Sequence, residues 1–260
     1  MKESKLFAYV GFISAIIGII DFIVQLALNE SITFSPISVI CLIVCILTCA
    51  IYWVCSDAKI YYLIRKNICY YTRKSDSFFV ENKECIYTFK SRTEMEHTKK
   101  HTIISNVSNL MIFCDKFKWS KEQKVEDIQI LSNVEGHSVD VRRVENWYQY
   151  IVGFNEIGKG QKQLISVTIQ NLHDPDKESI LFLSSNIVQK TKKLRLVVRF
   201  KDNNLRPMNI KYKIFDNYAC EFPLIQKDIQ YDSSEQQIEV VEDKPIYGYR
   251  YVISWDFEND

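Results

Sequence analysis

Two apolar runs near the start of the chain, Leu6–Leu28 and Ile37–Val54, most constrain what this sequence can form. Each is long enough to cross a hydrocarbon core of about 30 Å as a helix rising about 1.5 Å per residue. Only a short polar stretch, residues 29–36, separates them. The pattern therefore predicts an N-terminal transmembrane helical hairpin, with helices over about 6–28 and 37–54 in a domain spanning residues 1–56.

Small and polar residues recur on one side of the first predicted helix. At about 100° per residue, that side carries a membrane stripe formed by Gly11, Ser14, Gly18, Asp21 and Gln25. Two interpretations stay open. Small residues let helices approach closely, which indicates a packing seam. A carboxylate inside a membrane helix is costly and is usually turned toward protein or water, so the stripe is also compatible with a self-associating helix that lines a pore.

The positive charges beside the apolar runs predict the topology. Lys2 and Lys5 precede the first run, the connecting stretch has no Lys or Arg, and several basic residues follow the second run. Because basic flanks stay on the cytoplasmic side, we expect a multi-pass protein of the bacterial inner membrane with both termini cytoplasmic. Lipid is then a partner, and a homo-oligomer is expected. The eight cysteines have no C-x-x-C spacing, which argues against a disulfide scaffold.

The remaining chain, residues 57–260, alternates apolar and polar side chains in many short runs. Examples are 194–200, 210–214 and 249–257, which are separated by polar turns. This period of two predicts an all-β cytoplasmic sensor domain, with an antiparallel β-sandwich as the first choice and a partly closed β-barrel as the alternative. A soft boundary near residues 154–163 would divide it into two subdomains.

Two motifs resemble functional sites without completing them. Gly153–Gly160 reads G-x-x-x-x-G-K-G, but a phosphate-binding loop requires Ser or Thr after the lysine and a following helix, so we interpret it as a hairpin loop. His97 and His101, with Glu94 and Glu96 nearby, would place two metal ligands on one side of a helix, but no third ligand is evident. We therefore expect no metal, no cofactor and no enzymatic activity.

Cations that lie near aromatic residues are the candidates for ligand binding. Guanidinium groups bind phosphate in a bidentate manner, and aromatic faces accept bases. An ordinary strand face with charged edges is the alternative interpretation. The candidate residues form two groups: Arg92, Lys99 and Lys100, or alternatively Arg142, Arg143, Trp147 and Tyr148. With 33 basic and 32 acidic residues, the chain carries no general charge for binding a nucleic acid polymer.

The order of two short-looped apolar helices followed by a β-rich region resembles the two-transmembrane, β-strand-rich effectors of bacterial nucleotide-signalled antiphage systems, CBASS and Panoptes-type. The resemblance implies a β domain that binds a cyclic oligonucleotide and membrane helices that oligomerise and disrupt the inner membrane. We therefore expect a membrane-embedded antiphage effector that senses a small cyclic nucleotide. The alternative is a membrane-anchored β-sandwich docking protein with neither a ligand nor a pore.

Overall fold

Thirteen β-strands make up most of the part of the chain that the computed structural model describes. That part comprises residue 40 and residues 43–50, 58–72, 76–118, 128–134, 139–144, 147–174, 181–217 and 219–258. The chain divides into two compact units, Met1–Arg65 and Lys66–Asp260, and all thirteen strands belong to the second unit. The predicted domain boundary between residues 56 and 57 stays a prediction.

The predicted transmembrane hairpin is wrong. Leu6–Leu28, with the stripe from Gly11 to Gln25, and half of Ile37–Val54 lie outside the described residues, whereas residue 40 and residues 43–50 are helical. No helix within the described ranges has the length and apolar character needed to cross a membrane. This finding overturns the hairpin, the multi-pass inner-membrane location and the predicted pore.

Besides the helical residues 43–50, the described chain has a helix, α1 (Ala58–Thr72), ahead of the strands. The strands follow in chain order: β1 (Phe78–Phe89), β2 (Glu94–Ser105), β3 (Leu110–Phe117), β4 (Gln129–Ser132), β5 (Val139–Val144), β6 (Trp147–Ile157), β7 (Lys162–His173), β8 (Phe182–Asn186), β9 (Thr191–Phe200), β10 (Pro207–Phe215), β11 (Ile225–Asp228), β12 (Gln237–Asp243) and β13 (Arg250–Phe257).

The strands form three open sheets. A large sheet has the order β12-β9-β1-β2-β7-β4, a four-stranded sheet has the order β11-β10-β13-β8, and a three-stranded sheet has the order β3-β6-β5. The predicted β-rich character is confirmed, but the partly closed barrel is wrong because each sheet ends in edge strands within the described chain. A purely antiparallel arrangement is also wrong, since β1 pairs with β9 in parallel.

Side chains alternate between the two faces of each strand, and this alternation shows which face of the large sheet is buried. On β2, Met95, His97, Lys99, His101 and Ile103 are all buried, whereas the intervening residues are partly exposed. Neighbouring strands continue the same face, because the register places Tyr87 opposite His97 and Cys85 opposite Lys99. One face of the large sheet is therefore a buried inner face that includes charged side chains.

Both smaller sheets pack against this inner face. Phe113 of the three-stranded sheet lies 4.8 Å from the ring of His101, measured between centroids. Trp255 and Phe257 of the four-stranded sheet meet the ring of Phe89 edge-on at 5.7 and 5.8 Å. The two smaller sheets thus form a second layer, and the site lies where their edges adjoin.

Candidate functional site

A cavity of about 880 Å³ lies between the free edges of β3 and β8, above the inner face of the large sheet. Within the described strands, β3 pairs with β6 alone and β8 with β13 alone, so each presents one open edge. Consecutive residues line the cavity on both strands, 114–118 beside β3 and 184–186 on β8. Successive strand residues point to opposite faces, so the cavity follows the strand edges themselves.

The described lining of the cavity is strongly positive. Asp115 is the carboxylate in this set. The cations are Lys83, Lys99, Lys116, Lys118 and Arg250. A concave surface that carries an excess of one charge attracts small ligands of the opposite sign. The charge of the lining therefore favours an anionic ligand over a cationic one.

Lys99 and Asp115 form the central ion pair of the site. The Lys99 Nζ donates to Asp115 Oδ2 at 2.8 Å and to the main-chain carbonyl of Lys116 at 2.6 Å, and the Tyr150 hydroxyl donates to the same carboxylate at 3.2 Å. Burial alone would raise the pKa of Asp115, but the positive charges of Lys99 and Lys83 outweigh it and hold that pKa well below its usual range. The carboxylate is thus ionised and neutralises part of the positive charge.

The two histidines on this face are neutral. Burial, opposed in part by Asp115, lowers the pKa of His101 to about 3. Burial and the neighbouring Lys99 likewise hold the pKa of His97 well below its ordinary value. The 3.7 Å approach of His101 Nε2 to Asp115 Oδ2 is therefore not an ion pair at neutral pH. Both rings act as packed, uncharged side chains.

Lys83 and Arg250 lack such a carboxylate partner. Lys83 is 7% exposed, and its Nζ donates to the main-chain carbonyl of Asn186 at 3.0 Å. Arg250 donates from Nη2 to the carbonyl of Cys220 at 2.9 Å and lies over the ring of Phe215 at 4.2 Å. Among the described residues, neither cation has a carboxylate within ion-pair distance. Buried charges normally require such a partner.

Several buried polar atoms around the cavity also have no hydrogen-bond partner. Native proteins satisfy nearly all buried polar groups, so these atoms are ones that water, an ion or a bound molecule would satisfy. These atoms are His97 Nε2, Ser185 Oγ, Asn186 Oδ1, Arg250 Nε and Trp255 Nε1.

Aromatic side chains complete the lining. Trp147 lies beneath the ammonium of Lys116, 4.5 Å from the ring centroid, and Phe182 is 41% exposed. The full aromatic set is Tyr87, Phe89, Phe117, Trp147, Phe182 and Trp255. Aromatic faces beside cations suit a ligand that combines a planar ring with an anionic group.

The structure brings together only two of the predicted ligand residues. Lys99 and Trp147 line the cavity. Lys100 lies on the opposite face of β2. The others lie elsewhere: Arg92 is beside Asp174 at 3.7 Å, Arg142 and Arg143 are exposed on β5, and Tyr148 is buried in a stack with Phe117.

Lys83, Asp115, Asn186 and Arg250 were not predicted. The sequence holds one signal that could have identified Lys83: it shares the alternation of the inward residues Cys85 and Phe89 on β1. The other three lie on separate strands, and their convergence depends on pairing between distant segments. No group of three or more potential metal ligands is assembled within the described ranges.

Known families and solved structures add little about this site. No family model and no curated protein matches the chain. An M1 zinc metallopeptidase from Deinococcus radiodurans is similar to 69% of this chain at 7% identity and a TM-score of 0.37. Aminopeptidase A of Legionella pneumophila is similar to 71% at 11% identity and a TM-score of 0.32. The chain spans 43% and 22% of their respective lengths, and likeness at these scores carries no argument about function.

Proposed function

We propose that the β-rich region binds a nucleotide in the cavity between β3 and β8, and that a cyclic nucleotide is the class it senses. The excess of cations over carboxylates in the described lining is the observation that carries this proposal. A nucleotide supplies both the anionic phosphate that the cations attract and a planar base for the aromatic side chains. The unpartnered donors Trp255 Nε1 and Arg250 Nε are available to acceptor atoms of the ligand.

Thermal unfolding of the full-length protein with a panel of cyclic and linear nucleotides tests this proposal. A ligand that binds the folded state alone raises its stability by RT ln(1 + [L]/Kd), so a binding nucleotide raises the Tm in a concentration-dependent manner. We expect at least one nucleotide to do so. If no member of the panel changes the Tm, the proposed function is wrong.

Two exposed phenylalanines provide a matched control. Phe182 is 41% exposed and lines the cavity, whereas Phe222 is 80% exposed and lies outside its lining. Stacking of a base on an aromatic ring contributes about 1–3 kcal/mol, so Phe182→Ala should weaken nucleotide binding roughly tenfold. Phe222→Ala should leave binding unchanged. Equal effects of the two substitutions would place the nucleotide outside the cavity.

Docking of an extended peptide is the second candidate function, and the two open edges of β3 and β8 favour it. Unpaired strand edges recruit peptide strands through main-chain hydrogen bonds. Lys83 and Lys99 oppose this mode, since they already occupy the edge carbonyls of Asn186 and Lys116. Binding of an acidic peptide, with no effect from the nucleotide panel, would favour docking.

We propose nucleotide-signalled antiphage defence as the biological setting. Of the resemblance described above, only the β-rich region that binds a cyclic nucleotide supports this proposal, because the membrane hairpin is overturned. Cells that express the full chain should resist phage, and Phe182→Ala should weaken that resistance while Phe222→Ala preserves it. If cells with either variant resist phage equally well, the cavity has no role in defence. Self-association stays a prediction.

A further inference from the structure

We infer that the phosphoryl group of the nucleotide binds between Lys83 and Arg250, beside Asn186, at the β8 edge of the cavity. This inference rests on the proposed function and assigns the position of the anionic group within the same site. It follows from how positive charge is distributed among the described lining residues.

At the β3 edge the buried cation, Lys99, is already compensated, and the other two, Lys116 and Lys118, are exposed and screened by water. Lys99 has a carboxylate at 2.8 Å, and two of its donor hydrogens are used by Asp115 and the Lys116 carbonyl. Asp115 would also repel a second anion placed beside it. An incoming phosphoryl group at this edge is therefore attracted mainly by the exposed Lys116 and Lys118 and repelled by Asp115.

At the β8 edge two cationic residues that line the cavity, Lys83 and Arg250, adjoin Asn186. The Lys83 Nζ lies 3.0 Å from the Asn186 carbonyl oxygen, and Arg250 is the cross-strand partner of Asn186 in the β13–β8 pair. Directly opposed residues in an antiparallel pair place their side chains on the same face, with Cβ atoms about 4.5–5.5 Å apart. Lys83 and Arg250 thus lie on two sides of Asn186.

Unsatisfied donors at this edge match the acceptor oxygens of a phosphoryl group. An ammonium carries three donor hydrogens, and Lys83 uses one of them in its hydrogen bond to the Asn186 carbonyl. Arg250 Nε and Ser185 Oγ are buried without partners, and Ser185 is 5% exposed. Charge-assisted hydrogen bonds from such groups to phosphate are short and strong.

Inorganic phosphate is the probe for this subsite, titrated into the full-length protein and followed by thermal unfolding and by 31P NMR line broadening. Lys83→Met and Arg250→Met should each weaken phosphate binding about tenfold or more, because each removes a charge-assisted contact. Lys100→Met, on the opposite face of β2, should change it less than about twofold.

Asn186→Asp provides a second test that does not depend on removing a cation. A carboxylate at this position would stand in for the bound anion, so the variant should have a higher Tm without phosphate and should no longer respond to phosphate. An unchanged phosphate response in Asn186→Asp, or normal phosphate affinity in folded Lys83→Met and Arg250→Met, would overturn the inference.

The outcomes separate this inference from the proposed function. If nucleotides stabilise the parent and both cation variants equally, the nucleotide site stands and the phosphoryl position is wrong. If phosphate binds as described and no nucleotide does, the subsite stands and the nucleotide proposal is wrong. If neither phosphate nor any nucleotide stabilises the parent, both are wrong.

Discussion

Lys99 of β2 and Asp115 of β3 form an ion pair of 2.8 Å that joins the inner face of the large sheet to the three-stranded sheet. Their side chains are 8% and 13% exposed, so the pair is largely withdrawn from water. Desolvation makes such a pair a modest net contributor to stability, but the loss of one partner leaves a buried charge. The pair therefore fixes the position of β3 at the edge of the cavity.

Removal of one member of this pair should cost far more than removal of both. We expect Lys99→Met or Asp115→Leu alone to lower the free energy of unfolding by about 3–5 kcal/mol, and the double variant to regain most of that loss. Urea denaturation in a double-mutant cycle measures this. Lys162→Met, which removes an exposed pair with Glu81, is the control and should cost less than about 1 kcal/mol. Additive single losses would contradict the prediction.

As the pH is lowered, the fold should begin to lose stability at a higher pH than protonation of its carboxylates alone would cause. The pKa of His101 is about 3 in the folded state, against about 6.5 in an unfolded chain, so the unfolded state binds the extra proton. The stability that neutral His101 provides is complete above about pH 6.5 and is lost as the pH falls toward 3. His101→Leu should reduce the slope of the free energy of unfolding against pH by about 1.4 kcal/mol per pH unit within this window. Urea midpoints between about pH 7 and pH 5 measure it, and equal slopes in parent and variant would refute it.

Substitutions in the aromatic core should lower the free energy of unfolding more than substitutions on the charged outer surface. Phe89 is 1% exposed and contacts the rings of Phe200, Trp255 and Phe257. Phe89→Ala should therefore cost about 3–5 kcal/mol. Arg195 binds Glu239 on the opposite face of the large sheet with its side chain 29% exposed, so Arg195→Met should cost less than about 1 kcal/mol. Chemical denaturation measures both losses in the free energy of unfolding. Similar losses would show that the outer surface contributes more to stability than its exposure indicates.

Cys114 should report occupancy of the cavity. Its side chain is exposed at the cavity, whereas Cys85 is fully buried. Burial and the neighbouring Asp115 raise the pKa of the Cys114 thiol, so alkylation should be slow at neutral pH and accelerate in alkali. A bound nucleotide should slow alkylation at Cys114 and leave the exposed Cys49, outside the cavity lining, unchanged, as measured by peptide mass spectrometry. Protection of both cysteines would indicate a general conformational effect.

The alternation of side chains predicts individual strands well. The run 194–200 falls within β9, and the run 249–257 coincides with β13 apart from its first residue. The same rule, applied to β2, places Lys99 inward and Lys100 outward, although the sequence interpretation treated them as neighbours in one group. His97 and His101 were considered as a pair on a helix, but they lie on a strand with Lys99 between them.

The site itself depends on contacts that local patterns do not encode. Lys83 and Asn186 belong to strands of different sheets, and Asp115 reaches Lys99 across the two layers. Local periodicity determines which face a side chain occupies, but the strand order determines which faces meet. The apolar runs at the start of the chain were the strongest local signal, yet no helix in the described ranges satisfies the length and hydropathy of a membrane span.

The parallel pairing of β1 with β9 has a consequence for synthesis on the ribosome. β1 lies in the middle of the large sheet, and its register with β9 begins where Val80 meets Thr191. A nascent chain that ends before Thr191 can pair β1 with β2 but must leave the other edge of β1 open. Pairings over such long sequence separations form slowly and expose unpaired edges. The large sheet therefore completes late in translation, and truncated nascent chains should depend on chaperones that cover that edge.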